Sequence, residues 1–220
     1  MTKTEKRKVL SLIIERLAEV YPNAECALHF EGDPWRLLVM ARLSAQCTDA
    51  RVNEVSVELF SRFPTAKSMA EGDISEIESI VKSCGLYRMK ALNIRDASKM
   101  LVEKYDGKLP ESMEELLLFP GVGRKIANLL IGDVFGGEAI VCDTHMIRIM
   151  GRLGMYPESE KDPNKIERIM RELMDPKLGS DFCHRVVIFG REICSARSPS
   201  CDNCPLADLC QRRRKDIGKA

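Results

Sequence analysis

The sequence predicts an all-α protein, and three observations support this. Apolar residues recur at intervals of three and four along most segments, as in Leu10, Ile13, Ile14 and Leu17 near the start. No segment shows four or more residues of clean apolar–polar alternation, the pattern of a half-buried strand. Capping residues stand where helices would begin. We therefore expect eight to ten helices of ordinary length, joined by short turns.

Several of these predicted helices have recognisable starts. Side chains that accept hydrogen bonds from the first helical amides stand at three of them: Asp73, Ser112 and Asp162. Ser112 is followed three residues later by Glu115, the spacing of a capping box. Asp162 is followed by Pro163, which is a favoured first residue of a helix.

Composition and charge exclude a broadly basic nucleic-acid coat. Lys and Arg number 34 against 33 Asp and Glu, a formal net charge of +1. A bound polyanion must therefore be held by a local cluster of cations. One such cluster is the run Arg212–Lys215, which we interpret first as a solvated tail. No apolar stretch reaches the roughly 18 residues that span a bilayer, and no secretory signal is present. We expect a soluble, cytoplasmic protein without a membrane partner.

The segment 116–130, LLLFPGVGRKIANLL, breaks an apolar helical run and restarts it at once with two cations. Pro120 ends the first helix. Gly121 and Gly123 are expected to allow positive φ and to remove side chains that would block a close approach. The next helix begins near Arg124, and its first amides and dipole form an anion site suited to phosphate. The alternative is a tight turn in which glycine serves geometry alone.

Lys125 and Asp143 are the candidate reactive side chains. A lysine in the first turn of a helix is ordinarily a solvated surface group. The positive end of a helix dipole is, however, a poor place for a structural cation, and it favours the neutral amine that a nucleophile needs. Asp143 is interpreted first as the N-cap of the helix 146–152. The same carboxylate could stabilise developing positive charge or assist a deprotonation.

Nine cysteines in a cytosolic chain indicate metal ligation rather than disulfides. Four of them lie near the C-terminus, two forming a Cys-x-x-Cys and one on either side of it: Cys194, Cys201, Cys204 and Cys210. Zinc is one candidate for this set, although compact zinc sites more often show two such knuckles. A [4Fe–4S] cluster also takes four cysteines and tolerates uneven loops.

Together these motifs resemble the endonuclease III family of DNA repair enzymes over residues 28–210. FPGVGRKIAN is similar to LPGVGRKTAN, the usual helix-hairpin-helix sequence of the family, and CDTH at 142–145 is similar to its VDTH. The cysteine spacing matches its cluster loop. The resemblance implies a bifunctional DNA N-glycosylase and abasic-site lyase of base excision repair that removes oxidised pyrimidines and carries a [4Fe–4S] cluster on the four cysteines.

The same resemblance assigns roles to individual residues. Lys125 would attack C1′ of the nucleotide and form a Schiff base that leads to β-elimination, with Asp143 as the catalytic aspartate. Eight further residues would contact DNA: Gln46, Leu86, Gly121, Val122, Gly123, Arg124, His145 and Arg197. Gln46 would fill the gap opposite the orphaned base, and Leu86 would wedge into the stack. On their own these two are an exposed turn residue and a core leucine.

The resemblance also implies two helical lobes with a DNA-binding cleft between them. A six-helix domain at 27–137 would contain the hairpin at about 112–134. A four-helix domain at 1–26 plus 138–220 would carry the cluster loop 194–210. The partner would be double-stranded DNA containing a damaged base or an abasic site, bound by a monomer associated with the nucleoid.

Two other functions remain open on sequence grounds. A mismatch or adenine-specific glycosylase would use the same scaffold, but such enzymes generally lack a lysine at position 125 of the hairpin. A non-catalytic DNA-damage-binding protein would use the hairpin and cluster for docking alone. An electron carrier would need the cluster but would leave the hairpin unexplained.

Overall fold

The computed structural model describes the chain from residue 1 to residue 217, with side chains described as far as residue 214. This part of the chain contains twelve α-helices and no β-strand, which confirms the predicted all-α class. The helices are α1 (Lys3–Val20), α2 (Pro34–Leu43), α3 (Asp49–Arg62), α4 (Ala66–Ala70), α5 (Ile74–Val81), α6 (Tyr87–Tyr105), α7 (Met113–Leu116), α8 (Arg124–Asp133), α9 (Thr144–Leu153), α10 (Pro163–Leu173), α11 (Gly179–Glu192) and α12 (Gln211–Ile217). The total exceeds the upper end of the prediction by two, and the two shortest helices are α4, with five residues, and α7, with four.

The predicted helix starts at Asp73, Ser112 and Asp162 are confirmed. The Asp73 carboxylate accepts a hydrogen bond from the Ser75 amide at 2.7 Å. Ser112 accepts from the Glu115 amide at 3.2 Å, and its hydroxyl donates to the Glu115 carboxylate at 2.8 Å. The Asp162 carboxylate accepts from the Asn164 amide at 2.9 Å. These side chains fix where α5, α7 and α10 begin, because each satisfies an amide that the helix itself leaves unpaired.

Contacts divide the chain into two compact units. The hairpin unit comprises residues 26–135, and the cluster unit comprises residues 1–25 together with 136–220. In the hairpin unit, α6 packs against α2, α4 and α5, and α8 packs against α2 and α7. Apolar side chains from these helices and from α3 form one core, which includes Leu37, Leu59, Ile94, Leu116 and Leu130.

The cluster unit combines the N-terminal helix with the last third of the chain. Helix α1 packs against α10 and α11, and α9 packs against α11 and α12. Leu10, Ile13 and Leu17 form the buried face of α1, as their spacing predicts. Arg16 on the same helix donates to both carboxylate oxygens of Asp208, at 2.5 and 2.9 Å. This pair ties the N-terminal helix to the cysteine-rich segment.

No helix within residues 1–217 combines the length and the apolar composition of a membrane span.

Arg212 and Arg214 of the basic run are exposed, as the interpretation of a solvated tail expects, but the arginines also have partners. Arg212 lies 3.7 Å from the Glu158 carboxylate. Arg214 donates to the backbone carbonyl of Asp208 at 2.6 Å. The run forms most of α12, and its arginines find partners within the cluster unit. The side chain of Lys215 lies outside the described residues.

Candidate functional site

The turn between α7 and α8 needs glycine at one of its two glycine positions. The Val122 amide donates to the Phe119 carbonyl at 3.0 Å, and Gly121 between them has a φ of +78°. A Cβ at Gly121 would also lie only 2.5 Å from Arg42 Nε and 2.8 Å from Asn93 Oδ1. Arg42 Nε donates to Asn93 Oδ1 at 2.9 Å. The hairpin therefore rests on a polar contact between α2 and α6, which the sequence analysis missed.

Gly123 differs from the expectation. Its φ of −102° and ψ of 175° are extended values open to any residue, so the predicted positive φ is wrong here. A Cβ at Gly123 would meet no atom within 4 Å, and no side chain caps the start of α8. The glycine thus leaves open space in front of a helix N-terminus. Arg124 and Lys125 are exposed in the first turn beyond it, while Val122 is buried.

Gln46 and Leu86 both occupy left-handed backbone conformations. Their φ values are +56° and +48°, and both residues are exposed. Leu86 exposes 62% of its surface, so it is not a core leucine. A left-handed conformation costs a residue with a Cβ about 1–2 kcal/mol. Such strain is typical of functional turns. Each of these two strained turns of the hairpin unit therefore exposes a side chain: the carboxamide of Gln46 at one and the apolar side chain of Leu86 at the other.

In the cluster unit, Asp143 is held by both of its carboxylate oxygens. Oδ1 accepts from the amides of His145 and Met146 at 2.9 and 2.8 Å, which caps α9 as predicted. Oδ2 lies 2.9 Å from His145 Nδ1. Only 15% of the Asp143 side chain and 22% of the His145 side chain are exposed. The carboxylate is therefore fixed in direction yet reachable from solvent.

The ring of His145 has room only because residue 190 is glycine. A Cβ at Gly190 would lie 2.7 Å from His145 Cδ2 and 2.8 Å from Ile149 Cδ1. Gly190 lies in the last turn of α11, where it needs no unusual backbone angle. This role is not predictable from the sequence, because a helical glycine carries no signal of what packs against it.

The four predicted cysteine ligands come together in the cluster unit. Cys194, Cys201, Cys204 and Cys210 line one cavity of about 410 Å³. Its other walls are mainly apolar and include Ile149, Leu153, Phe189 and Ile193. Among the described residues, no three His, Cys, Asp or Glu side chains are arranged to hold a single metal ion. Four cysteines that line one cavity are a donor set that either a [4Fe–4S] cluster or a zinc ion can use.

Arginines hold the cluster loop in shape. Arg152 is buried, and it donates to Cys194 Sγ at 3.3 Å and to the carbonyls of Ser195 and Ala196 at 2.7 and 2.8 Å. Arg213 donates to the Cys201 carbonyl. Donors aimed at a ligating sulfur suit a thiolate, so they support the assignment of Cys194 as a ligand. These arginines were also missed, since nothing in the sequence links them to the loop.

The predicted site residues are thus divided between the two units. Gln46, Leu86 and the hairpin residues 121–125 belong to the hairpin unit. Asp143, His145, the four cysteines and Arg197 belong to the cluster unit. Arg197 is exposed on the loop whose backbone Arg152 holds.

Comparisons with known families match both units. Residues 39–176 match the HhH-GPD superfamily of base excision DNA repair proteins. Residues 194–210 match the iron-sulfur binding domain of endonuclease III. The endonuclease III of Synechocystis sp. is 42% identical over 210 residues, covering 95% of this chain and 93% of that protein.

Two solved structures match over nearly all of both chains. Both are 37% identical to this chain with a TM-score of 0.90, and each match covers 99% of either chain. One is a non-covalent endonuclease III–DNA complex. The other is a trapped covalent intermediate of endonuclease III with DNA.

Proposed function

Because this chain belongs to the endonuclease III family, whose members are DNA glycosylases and abasic-site lyases of base excision repair, we propose that Lys125 is its nucleophile. The activity itself follows from the family: the chain binds DNA and is a DNA glycosylase and abasic-site lyase. The proposal concerns which residues perform it and on which substrate.

Lys125 would act through its amine. Its nitrogen attacks C1′ of the nucleotide, and the base leaves with the electrons of the glycosidic bond. Opening of the sugar ring then gives a Schiff base between Nζ and C1′, and loss of a proton from C2′ expels the 3′ phosphate by β-elimination. The single observation that carries this proposal is the exposed lysine beside an uncapped helix N-terminus. The trapped covalent complex of a relative supports it.

Asp143 would supply the fixed negative charge. Its carboxylate accepts two backbone hydrogen bonds, which stabilise the ionised form. A fixed carboxylate of this kind can stabilise the positive charge that develops on the sugar as the base departs, or accept a proton from the attacking amine.

The hairpin would bind a phosphate of the DNA backbone. The open N-terminus of α8 would hold one backbone phosphate, with Gly121, Val122, Gly123 and Arg124 shaping the turn. Such a contact positions a duplex without reading its sequence.

The two strained turns, at Gln46 and Leu86, would assist base extrusion. A nucleotide must leave the stack before C1′ can be attacked, so Gln46 and Leu86 would fill the space it vacates. His145 and Arg197 would contact DNA from the cluster unit. The substrate we propose is double-stranded DNA with an oxidised pyrimidine or an abasic site, bound by a monomer associated with the nucleoid in the cytoplasm.

The cofactor is a [4Fe–4S] cluster. Cys194, Cys201, Cys204 and Cys210 would hold it, as the cavity they line allows. When bound, the cluster supplies covalent cross-links among these cysteines and so fixes the loop 195–200. The arginines around the loop would then hold Arg197 toward DNA phosphates.

Borohydride trapping tests the nucleophile. Abasic duplex DNA and sodium borohydride should convert the wild-type protein into a covalent adduct, because reduction fixes the Schiff base. Lys125→Ala should lose the adduct while keeping most of its affinity for the same DNA. A wild-type protein that binds and never traps would favour the damage-binding alternative. A Lys125→Ala protein that still forms the adduct would show that another residue is the nucleophile.

Metal analysis tests the cofactor independently of activity. The purified protein should be brown, absorb near the blue edge of the visible range and contain about four irons per chain. Cys204→Ser should reduce the iron content and lower the thermal stability of the protein. Zinc in place of iron would contradict the cofactor assignment and leave the Lys125 proposal standing.

A further inference from the structure

Lys90 is a fully buried lysine in the first turn of α6. Its Nζ donates to the carbonyl of Leu43 at 2.8 Å and to the carbonyl of Cys84 at 2.7 Å. These carbonyls come from different elements, since Leu43 ends α2 and Cys84 belongs to the short turn between α5 and α6. A single side chain therefore joins two segments that are distant in sequence.

The chain maintains this contact at an energetic disadvantage. Burial lowers the pKa of the Lys90 ammonium below its usual value. Within the described residues Lys90 forms no ion pair with a carboxylate, so two backbone carbonyls carry its charge alone. Moving an ammonium out of water costs several kcal/mol, and its two hydrogen bonds to carbonyls offset part of that cost. Stability is therefore a weak reason for a lysine at this position.

The two carbonyls stand just before the two strained turns. Leu43 precedes Gln46 by three residues, and Cys84 precedes Leu86 by two. The Lys90 amide also donates to the Leu86 carbonyl at 3.1 Å. Lys90 thus fastens the backbone on both sides of the gap between the Gln46 turn and the Leu86 turn.

We propose that Lys90 is a positioning residue for DNA opening, which sets the separation of the Gln46 and Leu86 turns so that both side chains enter the duplex together. This inference rests on the proposed function of these two turns. Two insertions into one opened base step must arrive at a fixed spacing, and strained turns keep such a spacing only when the surrounding structure holds them. Lys90 never touches DNA in this role.

Comparison of duplex and single-stranded substrates tests the proposal. Lys90→Met keeps the length and apolar stem of the side chain but removes every donor. Borohydride trapping on abasic duplex DNA should become roughly ten- to a hundredfold slower, because small misplacements carry penalties of that size. Trapping on single-stranded abasic DNA should change by less than roughly threefold, because no stack has to be opened. Fluorescence of a 2-aminopurine beside the abasic site should show reduced unstacking in the duplex.

Ser98→Ala is the matched control on the same helix. Ser98 is also fully buried, and it joins Trp35 Nε1 at 2.8 Å to the Ile94 carbonyl at 2.7 Å without contacting either turn. It should lower stability while leaving the ratio of duplex to single-strand trapping unchanged. Equal losses of Lys90→Met on both substrates would overturn the inference and leave Lys90 a structural residue.

Further variants separate this inference from the proposed function, and they also serve if Lys90→Met fails to fold. Lys90→Gln retains an N–H donor and should lie between wild type and methionine in the duplex assay. Gln46→Ala and Leu86→Ala should each slow duplex trapping. If they do not, the proposed role of the turns fails and the inference fails with it. If they slow trapping and neither Lys90 variant does, only the inference fails.

Discussion

The starts of α8 and α9 solve the same physical problem in opposite ways. Each helix leaves its first amides without a partner inside the helix. At α9 the Asp143 carboxylate fills the position and accepts two of these amides. At α8 the corresponding residue is Gly123, which provides no side-chain cap and leaves open space. One start is occupied by the protein's own anion, and the other is left for an anion that comes from outside.

The difference explains why the two starts suit different tasks. A carboxylate bound to helix amides stays ionised and points in one direction, which suits a catalytic group. An empty start, flanked by the exposed Arg124 and Lys125, suits the transient binding of a phosphate. Three substitutions test this comparison.

Asp143→Asn should have the largest effect. Asparagine caps a helix about as well as aspartate, so the stability should stay near wild type. The charge is lost, and the rate of base release should fall by about 10²- to 10⁴-fold, the range typical of lost acid–base groups. Single-turnover base release and a denaturant midpoint measure the two quantities.

Asp162→Asn is the matched control for this charge. Asp162 caps α10 through two amides in the same way as Asp143, at 2.9 and 3.3 Å, but is exposed and carries no proposed catalytic role. Its activity should remain at the wild-type level. Comparable activity losses in both variants would show that capping, rather than charge at position 143, matters.

Gly123→Asp should place a capping carboxylate at the open N-terminus of α8. The extended backbone accepts the new side chain, and an aspartate there would cap α8 and stabilise the protein by roughly a few tenths of a kcal/mol, since glycine is already a tolerated cap residue. Affinity for abasic DNA should fall roughly tenfold or more, because the carboxylate occupies the phosphate position and repels it. Gly123→Asn has the same size without the charge and should lose much less. Equal losses in the two variants would point to bulk alone and contradict the anion site.

Gly190→Ala should have the smallest effect. It tests how firmly Asp143 and His145 are held at the start of α9. The new methyl group would press on His145, the partner of Asp143, and overpacking of this kind destabilises by about 1–3 kcal/mol. Base release should slow several-fold as the ring shifts. Gly151→Ala is the control: it is also a helical glycine, but its Cβ would meet the nearest atom only at 3.4 Å. That variant should be neutral or slightly stabilising, and a similar loss at both positions would rule out a specific role for His145.

Local chemistry made several features predictable from the sequence. The caps at Asp143 and Asp162 depend on a side chain and the amides two or three residues later, so a short sequence contains all the partners. The helical periodicity and the cysteine spacing are equally local. The all-α class, the family and its cofactor followed from such signals and are confirmed.

Other features depend on residues that only folding brings together. Gly123 and Gly121 look alike in the sequence, yet only Gly121 has a positive φ, and only a Cβ at Gly121 would collide with Arg42 and Asn93. The arginines of α12 are solvent-exposed at positions 212 and 214, and the sequence does not indicate the partners that they have in the cluster unit.

The sequence by itself therefore determined the all-α class, the family and several helix starts, because those signals arise within a few residues. Tertiary structure decided which groups are held still. His145 rests against Gly190, Lys90 joins two turns 40 residues apart (positions 46 and 86), and Arg152 secures the cluster loop. Each of these contacts joins distant segments, and the packing of the whole unit fixes it.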